Sequence, residues 1–155
     1  MVYNEIGKTG MRVSNLGFGA SSLGGVFHDI REAEGIKAVH TAVENGINFI
    51  DVSPYYGHLK AETVLGKALV DIQRDKYYLS TKVGRYGKDG KNTWDYSAKR
   101  VTDSVYESME RLHIDYIDLI NVHDVEFADL HQIVDETLPA LVKLREEGVV
   151  KHVGI

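Results

Sequence analysis

The chain has 155 residues, a length that allows one domain with its own hydrophobic core. Its net charge of -5 argues against a nucleic-acid partner, because phosphate binding requires a basic surface. It contains no cysteine, which excludes disulfides, thiolate metal sites and a cysteine nucleophile.

The N-terminal segment shows no targeting signal. Residues 1–5 lack the charged start and apolar run of a secretory signal, and no apolar stretch approaches the roughly 18 residues that a membrane span needs. We therefore expect a cytoplasmic protein without a membrane partner. Residues 5–13 contain a turn bounded by Gly7 and Gly10 and predict a small hairpin ahead of the main fold.

Five short apolar runs predict β-strands that are buried on both faces. Each run has about five to eight residues and is rich in β-branched or aromatic types, as such strands usually are. The runs are residues 16–20, 47–53, 77–83, 117–123 and 149–155.

Between these runs, apolar residues recur every three or four positions and predict helices. The apolar stripes lie within residues 36–47, 64–69, 101–112 and 133–144. Asp29 with Glu32 resembles a capping box, and Ser97 or Asp95 can cap the third helix. Pro139 falls inside the fourth stripe, so that helix is expected to be kinked or to begin later.

The alternation of strands and helices predicts parallel strands joined by right-handed crossovers. The glycines within residues 17–25 do not have the GxGxxG spacing into a helix that a doubly wound nucleotide-binding sheet usually shows. A closed eight-stranded barrel takes roughly 250 residues, and four βα units plus one strand make about half of it. We therefore expect residues 1–155 to be the N-terminal half of a single barrel domain, without an internal domain boundary. Residues 84–94, which are rich in glycine and basic residues, predict a flexible loop.

Three successive predicted strands end in an ionisable residue that follows an apolar run. These residues are Asp51, Lys82 and His123. A single aspartate or lysine at a strand end is usually just solvated, and a single histidine there is usually a core residue. The carboxyl ends of the parallel strands of a barrel meet at one rim, however, so the three residues are expected to converge there. A lysine on the interior face also needs a carboxylate partner, because an unpaired buried charge is costly.

Tyr56 lies five residues after Asp51, in a loop that returns over the strand ends. A free phenol ionises only near pH ~10, but a nearby Lys82 ammonium favours the phenolate, and Asp51 can orient the lysine. His123 can donate or relay a hydrogen bond to a substrate oxygen. The group therefore suits proton transfer at a carbinol or carbonyl oxygen while hydride moves at carbon. Since no side chain supplies hydride, a nicotinamide cofactor is implied.

These residues resemble the catalytic tetrad of the aldo-keto reductases. The resemblance consists of Asp51 followed five residues later by Tyr56-Gly57, a lysine ending the next strand and a histidine ending the one after. It implies a parallel (β/α)8 TIM barrel in which Tyr56 exchanges the proton and Lys82 is its partner. It also implies that Asp51 orients the lysine and approaches the cofactor ribose. His123 and Tyr56 are then the residues that contact the substrate.

The resemblance further implies cofactor contacts at the first loop. Gly19, Ala20 and Ser21 match the loop at the ribose and nicotinamide, and Asp51 completes the set. Ser53 departs mildly from the family pattern, which usually has alanine there. The family's other cofactor contacts come from the second half of the barrel, so this chain alone is expected to bind NAD weakly or not at all.

Within the family, residues 17–21, 53–57 and 123–127 most resemble sugar 1-dehydrogenases that act on L-galactose, L-fucose or D-arabinose. This implies oxidation of an aldose such as L-galactose at C1 to its lactone, with NAD favoured over NADP and no metal. The expected partner is a small sugar or carbonyl compound. The full barrel is expected to be monomeric, whereas an isolated half can self-associate through its open strand edges.

Two other functions stay open at this point. A catalytically inactive, truncated or regulatory subunit of the family would keep the fold without turnover. A metal-dependent barrel hydrolase would use His123, Asp124, Asp51 and His58, although Lys82 would repel the cation.

Overall fold

An antiparallel hairpin precedes a parallel sheet in the computed structural model, which describes residues 1–88 and 91–155. In chain order the strands are β1 (Tyr3–Glu5), β2 (Arg12–Ser14), β3 (Phe18–Gly19), β4 (Phe49–Asp51), β5 (Tyr78–Val83), β6 (Arg85–Lys88), β7 (Lys91–Trp94), β8 (Ile117–Val122) and β9 (Val150–Gly154). The hairpin pairs β1 with β2, as predicted. Its Ser14 amide donates to the Asn48 side chain at 2.7 Å, which fastens the hairpin to the start of β4.

The parallel sheet has the order β3-β4-β5-β8-β9, and every pairing in it is parallel. The strands therefore follow one another across the sheet in chain order, without the reversal that a doubly wound sheet requires. This confirms the predicted parallel β/α arrangement. The register places Asp51 opposite Ser80, and Lys82 opposite Asn121, at the carboxyl ends of the strands.

The helices alternate with these strands. They are α1 (Glu32–Glu44), α2 (Lys60–Leu69), α3 (Ala98–Leu112), α4 (Leu130–Gln132) and α5 (Leu138–Glu146). Ser97 caps α3 as predicted, because its hydroxyl accepts a hydrogen bond from the Arg100 amide at 3.3 Å. The capping box at Asp29 is wrong. Helix α1 begins at Glu32 after Arg31, so Asp29 lies too far ahead of the first turn to cap it.

The helical segment around Pro139 and residues 84–94 differ from a regular α-helix and from a simple loop, respectively. A π-helical turn, Ile133–Thr137, joins α4 to α5, and Pro139 lies in the first turn of α5, where a missing amide hydrogen costs nothing. Of the two outcomes expected for Pro139, α5 does begin later than the stripe, at Leu138, but the segment ahead of it is already helical from Leu130. Residues 84–94 are not simply a loop, because β6 and β7 pair with Arg85 opposite Trp94. Residues 89 and 90, which fall within the predicted loop, lie outside the described residues.

The core lies between one face of the parallel sheet and the helices. Alternate residues of β5 define the two faces: Leu79, Thr81 and Val83 are buried towards the helices. Thr81 donates at 2.7 Å to Glu62 of α2, a fully buried carboxylate that also accepts from Arg111 of α3 at 2.8 Å. The opposite face carries the polar side chains described below. Among the described residues, no helix combines the length and apolar character that crossing a membrane would require.

Candidate active site

Asp51 and Lys82 form an ion pair at the carboxyl ends of β4 and β5. The Lys82 Nζ lies 2.6 Å from Asp51 Oδ2 and donates a second hydrogen bond to the Val52 carbonyl at 2.9 Å. The Lys82 side chain is only 13% exposed, whereas that of Asp51 is 33% exposed. Two fixed acceptors therefore set the direction of an almost enclosed ammonium group, while part of the carboxylate stays accessible.

Polar side chains of the neighbouring strands hold the carboxylate of this pair. The Ser80 hydroxyl donates to Asp51 Oδ1 at 3.0 Å and accepts from the Asn121 side-chain amide at 3.0 Å. Both Asp51 oxygens are thus engaged, and the contacts cross β4, β5 and β8 on one face. Strand alternation predicts that these residues share a face, but the hydrogen-bonded relay depends on side-chain geometry.

The loop after β4 brings Tyr56 next to Lys82. The Lys82 Nζ lies 5.0 Å from the centre of the half-buried Tyr56 ring. A close backbone approach holds this loop: a Cβ at Gly57 (φ 61°) would lie 2.2 Å from the Gly24 carbonyl oxygen, so a larger residue does not fit. The Tyr55 ring is also edge-on to His123, at 6.2 Å between centroids, but the cation against it is the Arg85 guanidinium, 3.8 Å from its ring centre. Lysine proximity therefore distinguishes the two adjacent tyrosines.

His123 follows β8 directly and is buried, with 9% of its surface exposed. Its ring lies edge-on to the Tyr56 ring, at 5.9 Å between centroids, and its Nδ1 is 3.2 Å from the Ser53 hydroxyl. Its backbone is fixed by a bond from its amide to the Val83 carbonyl and by the Tyr96 hydroxyl, which donates to its carbonyl at 2.7 Å. The imidazole is therefore held in both position and orientation.

Burial lowers the pKa of His123 below its usual value. Asp124 opposes this change, whereas the positive charges of Lys82 and Arg85 add to it, and Asp51 opposes it weakly. The imidazole is therefore neutral at pH 7. A neutral ring carries one N–H donor and one acceptor nitrogen.

Sequence reasoning missed Arg85 and treated Asp124 only as a metal ligand. The Arg85 Nη1 lies 2.5 Å from Asp124 Oδ2, and its guanidinium sits over the rings of Tyr55 and Trp94, at 3.8 and 4.7 Å from their centres. This cluster borders His123, whose Nε2 is 3.6 Å from Asp124 Oδ2. The contacts with Tyr55 and Asp124 join Arg85 of β6 to the loop after β4 and to the segment after β8, and contacts between such distant segments leave no periodic signal in the sequence.

The predicted cofactor residues lie beside Asp51. Strand β3 ends at Gly19, whose register partner is Asp51, and a 3-10 turn begins at the buried Ala20. Gly19 is exposed with open space where a side chain would be, and Ser21 is partly exposed. The Ser21 hydroxyl, the exposed backbone at Gly19 and the partly exposed Asp51 carboxylate are groups that can form hydrogen bonds with the hydroxyls of a ribose.

The residues named for a metal site are engaged otherwise. Asp51 pairs with Lys82, and Asp124 pairs with Arg85. Within residues 1–88 and 91–155, no three His, Asp or Glu side chains are grouped so that they could hold a metal ion. The geometry therefore gives no support to the metal-dependent hydrolase.

Comparison with known proteins gives consistent matches. Residues 15–155 match the model of the aldo/keto reductase family. The L-galactose dehydrogenase of Arabidopsis thaliana is 49% identical over 97% of this chain and 46% of that protein. The D-threo-aldose 1-dehydrogenase of a Pseudomonas species is 35% identical over 94% of this chain and 50% of that protein. The chain thus spans about half the length of these curated relatives.

A solved structure agrees with these matches. The holo form of an aldo-keto reductase from Bacillus halodurans superposes on this chain with a TM-score of 0.88 at 34% identity. The match covers 100% of this chain and 50% of that one.

Proposed function

Since the chain belongs to the aldo/keto reductase family, we propose that it supplies the proton-transfer site of an NAD(P)-dependent oxidoreductase. The observation that carries the proposal is the enclosed Lys82–Asp51 pair, which lies against the Tyr56 ring with a neutral His123 beside it. The substrate proposed is an aldose, with L-galactose first, oxidised at C1 to the lactone. The similarity to an L-galactose dehydrogenase and an aldose 1-dehydrogenase supports this choice.

In the proposed reaction Tyr56 is the general base. Its phenolate takes the proton of the anomeric hydroxyl as a hydride leaves C1, so that C1 becomes the lactone carbonyl carbon. The Lys82 ammonium, 5.0 Å from the ring centre, stabilises the negative phenolate, and Asp51 holds that ammonium in place. His123 donates a hydrogen bond to the reacting oxygen and so orients the sugar.

A nicotinamide dinucleotide, when bound, supplies the hydride acceptor, a chemistry that no side chain provides. We assign its ribose to Asp51 and to the loop of Gly19, Ala20 and Ser21, whose exposed surface adjoins the ion pair. NAD is proposed over NADP from the resemblance to sugar dehydrogenases. The chain-ordered parallel sheet supports assigning residues 1–155 to the N-terminal half of one barrel domain.

The test measures reduced nicotinamide by absorbance, with NAD and a panel of aldoses and aldehydes. It uses the 155-residue chain, and also a chimera in which this chain replaces the matching half of the Arabidopsis relative. We expect turnover of L-galactose by the chimera. Tyr56→Phe should lower kcat by at least ~100-fold, the scale of lost general acid–base catalysis, without changing NAD affinity.

Tyr55→Phe is the matched control, because it removes a neighbouring hydroxyl from a ring that contacts Arg85 instead. It should keep most of the activity. A folded chimera that turns over no substrate in the panel would refute the proposed reaction. Equal activity of the two tyrosine variants would refute the role of Tyr56.

A further inference from the structure

We propose that Ser53 is a positioning residue that holds His123 in the tautomer with its proton on Nε2. The proposal rests on the proposed function, in which His123 donates a hydrogen bond to the substrate. Ser53 is completely buried, and its Oγ lies 3.2 Å from His123 Nδ1. The two residues are 70 positions apart in the chain, so the contact joins the loop after β4 to the end of β8.

The direction of this hydrogen bond follows from what else the hydroxyl does. The Tyr55 amide donates to Ser53 Oγ at 3.1 Å and so occupies one of its lone pairs. A hydroxyl has a single hydrogen to donate, and a buried donor without an acceptor is costly. Among the described residues, the structure pairs that hydroxyl with no acceptor other than His123 Nδ1. The hydroxyl therefore donates to Nδ1, and the ring proton belongs on Nε2.

The charged groups around the ring are consistent with this tautomer. Asp124 Oδ2 is the carboxylate oxygen near Nε2, at 3.6 Å, and it is held by Arg85 at 2.5 Å. Lys82 and Arg85 are positive, and both disfavour a second ring proton, whereas Asp124 and Asp51 favour one. With the ring neutral and Nδ1 accepting from Ser53, Nε2–H is left as a donor for a substrate oxygen. The other tautomer would present a lone pair to that oxygen and repel it.

The tautomer can be read by NMR without turnover or cofactor. In protein labelled with 15N-histidine, long-range proton–nitrogen correlations through the ring carbons distinguish a protonated Nε2 from a protonated Nδ1. The signals of His123 are assigned by their loss in His123→Asn. We expect the wild type to show a protonated Nε2 and an Nδ1 that accepts a hydrogen bond.

Ser53→Ala should remove the shift that this hydrogen bond imposes on Nδ1, and Ser53→Thr, which keeps the hydroxyl, should restore it. Ser104→Ala is the matched control. Ser104 is equally buried, but it lies in α3 and, among the described residues, makes no hydrogen bond to His123, so its loss should leave the His123 signals unchanged. A wild-type proton on Nδ1 would overturn the proposal, and that result needs no variant. An identical Nδ1 signal in Ser53→Ala and wild type would overturn it too.

Turnover provides the second readout. In the chimera, Ser53→Ala should lower kcat by about 10-fold with NAD affinity unchanged, since a misoriented donor weakens catalysis rather than cofactor binding. Ser53→Thr should recover most of that loss. The NMR result decides the role of Ser53, whereas absence of turnover in the wild-type chimera refutes only the proposed function, so the two failures are distinguishable.

Discussion

The two ends of the parallel sheet each carry a cation–carboxylate pair, but the pairs leave different groups free. At the amino end, Arg74 lies 2.5 Å from Asp118 and over the Tyr116 ring, 3.9 Å from its centre. The guanidinium also donates to the Tyr77 carbonyl at 2.9 Å, and Asp118 accepts from the Leu79 amide at 2.8 Å. The partners of this pair are backbone groups and ring faces, and within the described residues the Arg74 Nε is its only buried side-chain atom without a hydrogen-bond partner.

At the carboxyl end, the Lys82–Asp51 pair is also fixed by several hydrogen bonds. The side chains next to it, however, have polar atoms without a hydrogen-bond partner in the described part of the chain. In the part of the chain that the structure describes, neither the Tyr56 hydroxyl nor His123 Nε2 has a protein hydrogen-bond partner within normal distance. The same kind of ion pair thus stabilises the fold at one end. At the other end it sets the charge around groups that remain available for a ligand.

The sharpest test of this difference is Lys82→Met in the chimera described above. We expect kcat to fall by ~100-fold or more, because the phenolate of Tyr56 loses its positive neighbour. Stability should change little, since Asp51 is one-third exposed and water can solvate it. Lys76→Met removes an exposed lysine ahead of the amino end of the same strand and should leave turnover intact. Similar kcat values for the two variants would show that Lys82 has no part in the chemistry.

The amino-end pair should give the opposite result. Asp118→Asn removes the charge of a carboxylate that is 6% exposed and leaves Arg74 without its anion. Breaking such a pair should lower the free energy of unfolding by about 3 kcal/mol. The measurement is denaturant unfolding of the 155-residue protein, with Asp115→Asn as the exposed control. Turnover per folded chimera molecule should not change, and a loss of kcat without a loss of stability would contradict the assignment.

Much of this arrangement can be predicted from the sequence, because it depends on periodicity. Buried parallel strands have continuous apolar runs, and consecutive strands end at one rim, which is enough to bring Asp51, Lys82 and His123 together. Loops are harder to predict. The Ser53–His123 contact and the Arg85–Asp124 pair each join residues far apart in the chain through the shape of a loop, and no spacing rule encodes that shape.

Breaking the Arg85–Asp124 pair should have a smaller effect, a change in the pKa of His123. Arg85→Met removes a positive charge that lowers the pKa of His123 and releases Asp124, which raises it. The pKa of His123 should therefore increase, as measured by NMR titration of its ring protons. Arg145→Met, at an exposed position of α5, should leave the titration unchanged. An unchanged or lower pKa in Arg85→Met would mean that Asp124 does not act on the imidazole.

The smallest expected effect is the pH dependence of stability that His123 contributes. Burial holds the pKa of His123 in the folded state below its value in the unfolded chain, about 6.5. Between the two values the unfolded chain binds more protons, so the free energy of unfolding rises with pH across that window. The contribution is complete above about pH 6.5 and is lost as the pH falls towards the folded-state pKa.

Replacing the imidazole should remove this component. Denaturant unfolding of His123→Asn should show a shallower loss of stability on acidification below about pH 6.5 than the wild type. His113→Asn is the control, because His113 is exposed after α3 with φ 56°, a conformation that asparagine tolerates. If His113→Asn flattens the curve equally, the effect belongs to loss of any histidine and not to burial at the rim. A curve that flattens only in His123→Asn indicates that the rim holds this imidazole neutral, the state in which Ser53 can donate to Nδ1.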